Sequence, residues 1–407
     1  MLDVAVHRDR FDDLTMHVGV EEFPIVPTGT FTKRQSTYQR FWASQDLLLQ
    51  LDGPDTGTLR SVDQPVDNQI DDLNARWQQV EGLVDATPGI DRWCSGPDWV
   101  LPAHEAFAPE SDPVVFSEDD RGAALLARYE MGPGRAALAG LEPLWGFACP
   151  ILTNDPSAMG DFLSDELRQD PSWNFLILPG LPASESTAQL AEPLSHLGEL
   201  RVQAGIVRQV AALRGGPDPI ELADSEDRAG DWFARRSPGF RKSIRQAERR
   251  ALRAGVTFEL ANGDPGVFER CVEIERRSWK GQENDGITSP AMFKFYELMT
   301  ARLQRRGRLR AMVAQLDGED VGYILGGVRG STYRGLQLSY VEDARHLSIS
   351  HLLQYRTIMA LTDQEPQLST YDLGMDMPYK QRWADRSVRS VTLLVERRGG
   401  VEAQSIR

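Results

Sequence analysis

The strongest constraint on this chain is an order of apolar patterns that runs twice. From about residue 75, "IDDLNARWQQVEGLV" repeats its apolar residues at helical spacing, and "DWVLPAHEAF" begins a second helix near Pro102. Three strand candidates follow, "PVVFSE", "GAALLARYEM" and "LEPLWGFACPILT". A helix ("MGDFLSDELRQD"), a strand ("WNFLILPGL"), a helix ("ESTAQLAEPLSHL") and a strand ("RVQAGIVRQVAAL") complete the cycle. The Gly-, Pro- and Asp-rich stretch "RGGPDPIELADSEDRAG" breaks the pattern, and a basic helix, "GFRKSIRQAERRALRAG", closes at Gly255. Then strand "VTFELA", two helices, three strands, the helix "SHLLQYRTIMALTD", strand "STYDLGM", a short helix "PYKQRWA" and strand "VRSVTLLVE" repeat the order. A strand meander, a crossover helix and a further strand make a mixed α/β layout. Two such copies without obvious sequence identity point to an old duplication.

Charge divides the chain in the same way. Residues 1–230 hold 16 Lys and Arg against 38 Asp and Glu; residues 231–407 hold 29 against 22. Only the second half offers an anion a favourable field. With 41% hydrophobic and 26% charged residues the chain is globular, and 407 residues exceed one ordinary core. No apolar run approaches the roughly 20 residues of a membrane span. The start has no basic segment leading into an apolar one, so no secretory signal is expected. Three scattered cysteines and six histidines without an H-x-x-x-H pair argue against a metal site and suit a reducing cytosol, so a cytoplasmic protein is expected. No nucleophile elbow, P-loop or dinucleotide fingerprint appears.

Helix-helix-β-β-β-helix-β-helix-β is the order of the GNAT acyltransferase superfamily. "SPGFRKSIRQAERRALRAGVTFEL", "RSWKG", "LRAMVAQLDGEDVGYILGG" and "YDLGMDMPYKQRWA" resemble the CelD/BcsL type of acyltransferase within it. That type is related to the tandem-GNAT Fem-type aminoacyltransferases. The resemblance covers roughly 230–395 by motif and 75–215 by topology. It implies two tandem GNAT-like domains, each a mixed, mostly antiparallel sheet flanked by helices. The expected division is an N-terminal extension of unread role (1–74), a first GNAT-like domain (75–215), a linker and basic helix (216–254), a catalytic domain (255–397) and a tail (398–407).

Acyl transfer from a thioester to an amine needs a proton acceptor, donors for the oxyanion and an acid for the leaving thiolate. The resemblance assigns the central strand to 335–343. Tyr340 at its end is then the candidate acid, and Glu342 or Asp343 the candidate base. The plainer reading is an aromatic core residue beside a solvated turn. The donor's pyrophosphate is expected at the next helix N-terminus, where unbonded N–H groups and the helix dipole favour anions. That loop supplies Arg345, Leu347, Ser348, Ile349, Ser350 and His351. Relatives place a glycine there; this chain has serines, whose hydroxyls offer side-chain donors instead.

On the acceptor side, Trp279 is a candidate wall and Lys280 a candidate anion contact, although cations in a last helical turn also suit the dipole. In "TYDLGMDMPYKQRW", Asp372 or Asp376 is expected to orient the acceptor amine, Gly374 to end the strand, and Tyr379 and Lys380 to recur as a pair, with Lys380 an anion clamp. The basic run 235–253, with seven Arg and one Lys against Glu248, either docks on the acidic first half or holds a phosphorylated ligand.

The leading expectation is a transferase moving an acyl group from acyl-CoA or acetyl-CoA, without a metal, to the amine or hydroxyl of a small or cell-envelope-related acceptor, anionic by the lysines. Two alternatives stay open. One is a Fem-like transferase using aminoacyl-tRNA, which the charge of −15 disfavours. The other is a binding module that kept the fold without the chemistry.

Overall fold

The computed structural model describes residues 66–118, 122–214, 232–282 and 286–398. The expected extension (but for 66–74), the linker stretch 215–231 and the end of the tail lie outside the described residues. The first half holds helices α1 (Val66–Ala86) and α2 (Pro97–Phe107), strands β1 (Asp112–Glu118), β2 (Gly122–Glu130), β3 (Ala136–Gly140) and β4 (Ile151–Leu152), helix α3 (Pro156–Gln169), strand β5 (Phe175–Pro182), helix α4 (Glu185–Leu194) and strand β6 (Gly198–Ala212). The second holds α5 (Trp232–Arg235), α6 (Pro238–Arg253), β7 (Thr257–Leu260), α7 (Val267–Arg276), α8 (Trp279–Gln282), α9 (Pro290–Arg305), β8 (Leu309–Leu316), β9 (Glu319–Arg329), β10 (Thr332–Tyr340), α10 (Ile349–Gln364), β11 (Thr370–Met375) and β12 (Arg386–Arg397).

All strands share one mixed sheet, in the order β1-β2-β3-β5-β12-β6-β11-β10-β9-β8-β7, with β4 also on β2. The expectation of two separate sheets therefore changes. Each half's last strand crosses to the other: β12 pairs with β5, β6 pairs with β11, and the two crossing strands pair with each other. This exchange joins two similar halves into one sheet flanked by helices.

Among the described residues each half contains one parallel pair. β3 runs parallel to β5 at Ala137–Phe175, Leu138–Leu176 and Ala139–Ile177. β10 runs parallel to β11 at Thr332–Thr370, Tyr333–Tyr371 and Arg334–Asp372. Beyond those residues the partners part.

Two local expectations are corrected. α2 starts at Pro97, which needs no N–H in a first turn, and carries Pro102 inside it. The stretch "LEPLWGFACPILT" is mostly not a strand. β3 ends at Gly140 opposite Leu126, the chain leaves the sheet, and it returns where Leu125 N–H donates to Pro150 and Ile151 pairs with Ala124. The excursion is apolar because it is buried: Trp145 and Phe147 pack with Trp99 of α2, and Trp145 packs on Phe295 of α9. The Glu142 carboxylate folds the excursion on itself by accepting N–H bonds from Leu144 (2.9 Å), Trp145, Phe147 (2.9 Å) and Ala148 (3.4 Å). Burial nevertheless pushes its acid pKa up against those four donors.

The basic helix α6 forms as expected, capped by the Ser237 hydroxyl (3.2 Å from Phe240 N) and stopped before Gly255 at φ +87°. Its buried stripe is Phe240, Ile244, Ala247 and Ala251. That stripe packs on α10 of its own half, and Glu248 pairs with Arg356 at 2.7 Å. Docking of this helix on the acidic first half is thus replaced by docking within the second.

Candidate acyl-transfer site

Where β11 leaves β10, the second half opens a fork. β10 gains one extra residue at this point: Gly335 faces Gly326 and Gln337 faces Leu325, so Leu336 bulges. β11 is likewise irregular between Asp372 and Met375, where Gly374 takes φ +74°. Gly374 therefore marks a bulge, and the strand runs on to Met375.

Two lysines span the fork. Lys280 Nζ donates to the Leu338 carbonyl of β10 at 2.9 Å, and Lys380 Nζ donates to the Met375 carbonyl at the end of β11 at 3.0 Å. Burial, Arg334 and Lys280 lower the Lys380 ammonium to about 8, against the opposing pull of Asp372 and Asp376. Trp279 and Tyr379, neighbours of these lysines in sequence, are 44% and 45% exposed.

Beneath Lys380 lies a buried network of four charges. Arg334 of β10 reaches Asp91 at 2.6 Å and Asp372 at 3.2 Å; Arg208 of β6 bonds Asp372 and lies 3.4 Å from Asp91. Burial opposes the charge on Asp91, but the two guanidiniums outweigh it and hold its pKa low. Phe147 lies under the Arg334 guanidinium, 4.5 Å from it. This network ties the α1–α2 loop, β6, β10 and β11 together under the fork. Such groups are stable only as a set, since removing one member of a buried pair costs about 3–5 kcal/mol.

The expected site residues distribute as follows. Asp372 is part of the network, and its second oxygen accepts from Gly374 N at 2.7 Å; it is bound to the floor rather than presented to an acceptor. Asp376 is exposed and receives Gln209 Nε2 at 2.9 Å. Tyr340 is half-buried and packs against the cluster under α10. Its alternation partner Gln337 faces α7 on the other side. Glu342 and Asp343 are exposed in a 3₁₀ turn, and Glu342 pairs with Arg345 at 2.9 Å.

In the donor loop, Leu347 and Ile349 are buried anchors. Ser348 adopts φ +59°, ψ +36°, the left-handed conformation a glycine would take, and its hydroxyl accepts from Arg250 of α6 at 2.8 Å. Ile349 and Ser350 start a long helix, where N–H groups have no intrahelical acceptor. His351 faces Trp383, and burial followed by Arg382 lowers its pKa. The loop therefore lies between the cations of α6 and those of the 380–382 turn, and its residues fit a pyrophosphate-bearing donor.

Sequence reasoning missed Arg208, Arg334 and Glu275. Arg208 and Glu275 carry a signal: a charged residue on a strand or helix face whose neighbours at that period are apolar. Arg208 alternates with Ile206 and Val210, and Glu275 shares a stripe with Cys271 and Val272, whereas Arg334 alternates with Thr332 and Leu336 and carries none.

With this geometry in place, residues 238–381 match the family model described as an acetyltransferase (GNAT) domain. Over this stretch the chain is similar to GNAT-fold acetyltransferase domains. Among solved structures the chain resembles FemX, at 12% identity and a TM-score of 0.54, over 79% of this chain and 94% of that one. It also resembles a conserved protein of unknown function from Bacteroides thetaiotaomicron VPI-5482, at 11% identity and a TM-score of 0.50, over 79% and 97%. These likenesses are of fold. No curated protein sequence matches the chain. The matched stretch spans the fork, both lysines, the donor loop and α6. Among the described residues no cluster of metal-ligating side chains occurs, and no helix is long and apolar enough to cross a membrane.

Proposed function

We propose that residues 255–397 are the catalytic domain of an acyltransferase that moves an acyl group from acyl-CoA to an amine, within the branch resembling the CelD/BcsL type. The observation that carries this reading is the fork itself: a parallel pair that parts at Arg334 and Asp372, beside a one-residue bulge, with a lysine on each prong. A strand residue turns its N–H and C=O to the same edge. Since the Leu338 carbonyl meets Lys280 at the fork, its N–H points there too and offers an oxyanion donor.

In the transfer, the acceptor nitrogen forms a bond to the thioester carbonyl carbon, the C–S bond breaks, and the nitrogen's proton passes to a base while sulfur leaves. Tyr340, at the end of β10, would protonate the sulfur. Asp343 and Glu342 are the exposed carboxylates nearest to it in sequence and the candidate bases. Ile349 and Ser350 N–H, with Arg250 and Arg345, would hold the donor's pyrophosphate. Lys380 and Lys280 would hold an anionic group of the acceptor, with Trp279 and Tyr379 beside it. Asp372 enters as a positioning residue under Lys380.

A second donor class, aminoacyl-tRNA, is favoured by one observation: α6 exposes Arg249, Arg250 and Arg253, and Arg250 bonds Ser348 of the donor loop. Calorimetric titration of the full chain separates the two. Saturable binding of acetyl-CoA or a longer acyl-CoA, weakened by Arg250→Ala, supports the first reading. No heat at millimolar thioester, with retention of tRNA at physiological salt, supports the second.

A further inference from the structure

Glu275 is a carboxylate with no exposed surface, and nothing above uses it. One oxygen accepts from Gln337 Nε2 at 2.8 Å and the other from the Tyr323 hydroxyl at 3.2 Å. Gly286, at φ +74°, closes over it so tightly that a Cβ there would lie 2.3 Å from its Oε1. A buried carboxylate is costly, and two neutral donors are thin compensation. An amide or aliphatic side chain would fill the same place at less cost, so a carboxyl group here calls for a reason.

Gln337 supplies one. It is the residue at which β10 re-enters register after its bulge. The residues on either side are held from the same helical layer: the Leu336 carbonyl faces the Tyr296 hydroxyl at 3.4 Å, and the Leu338 carbonyl faces Lys280 at 2.9 Å. Three consecutive residues of β10 are thus gripped where β11 no longer supports them. Of the three grips, only that of Glu275 seizes a side chain, and a side-chain grip fixes which way the bulge turns.

We propose that Glu275 is a positioning residue of the acyl-transfer site, fixing residues 336–338 through Gln337 so that the backbone donors of β10 meet the reacting carbonyl. This rests on the acyl-transfer reading above. Misplacement by about 1 Å is enough to cost about 100-fold in rate. The grip should therefore act on turnover and not on donor affinity, because the donor loop lies beyond the far end of β10.

The test is a charge exchange within the pair. Gln337→Glu sets two carboxylates against each other, and adding Glu275→Gln restores one carboxylate and one amide in swapped places. In Gln337→Glu we expect kcat to fall about 100-fold with the donor KM changed less than about threefold. Amide hydrogen exchange over 335–340 should rise. The double variant should recover both to within about fivefold of the parent. A double variant as slow as Gln337→Glu, or a Gln337→Glu chain with parental turnover and exchange, overturns the proposal. Should Gln337→Glu not fold, Gln337→Met removes the donor at similar volume; lowered kcat with unchanged donor affinity supports the grip, and unchanged kcat overturns it. A parent chain inactive with every thioester counts against the acyl-transfer reading alone, and the exchange data then decide the grip.

Discussion

The two halves meet the same junction with different chain. In each, a parallel pair of three residues ends just before a glycine, Gly140 in the first half and Gly335 in the second. In the second half a single residue, Leu336, bulges before register resumes, and β10 and β11 stay unpaired beyond Arg334 and Asp372. In the first half residues 141–149 leave at the matching position and occupy the gap: the Phe147 and Ala148 backbone lies against Gly180 of β5, and Trp145 packs on Trp99 and Phe295. One fold thus carries an opening and a plug at equivalent places. The plug is also an instrument of the opening, since Phe147 reaches across to Arg334, the floor of the other fork.

Ways to break this comparison rank by size. The largest effect is all or none: titration with an acyl-CoA should saturate at one equivalent per chain, and two equivalents would show that the first fork is open after all. Next, Phe147→Ala removes a buried ring and leaves Arg334 with less cover. It should cost about 4 kcal/mol of stability by denaturant unfolding. A loss below about 1 kcal/mol would mean the plug carries no weight.

Third, Lys380→Met should lower turnover with an anionic acceptor by about 100-fold, while costing under about 1 kcal/mol of stability. Its pH dependence has a definite sign. The folded ammonium lies near 8, below its ordinary 10.5, so folding favours the neutral amine. Stability contributed by this group therefore rises between about pH 8 and 10.5, while its use as a cation fades above pH 8. Turnover should fall on the alkaline side of about 8, and Lys380→Arg should flatten that fall. A profile unaltered by the arginine would detach Lys380 from the chemistry. The smallest effect is at the donor loop. Ser348→Gly relieves a left-handed residue worth about 1 kcal/mol but forfeits the Arg250 bond, so the unfolding free energy should change by less than about 1 kcal/mol either way.

Much of the fold was legible because it is periodic. The stripe of α6 and the crossover helix α10 follow from apolar spacing alone, and so does the order of strands in the second half. The plug was not legible, since Leu144, Trp145, Phe147 and Ile151 give the hydrophobic texture of a strand, while tertiary packing and one glutamate decide otherwise. The partners of β6 and β12 were equally hidden: strand identity is local, but strand pairing is not. At the site, Lys280 and Lys380 could be found through the motifs that flank them. Asp372 could be found but not correctly used, because its partners Arg208 and Arg334 come from distant strands that no spacing connects.

The crossing of β6 and β12 also sets a schedule for synthesis. When a ribosome has made the chain as far as residue 214, β5 has no neighbour on one side, and β6 has neither of its own, because β12 and β11 do not yet exist. At about 5–20 residues per second, those unpaired edges wait roughly 10–40 s before Val395 can reach Leu176. Bare strand edges of that lifetime invite wrong partners. The first half is therefore a fragment that must be kept from its neighbours until its own C-terminus arrives, and a truncation before β12 should aggregate instead of folding as a smaller protein.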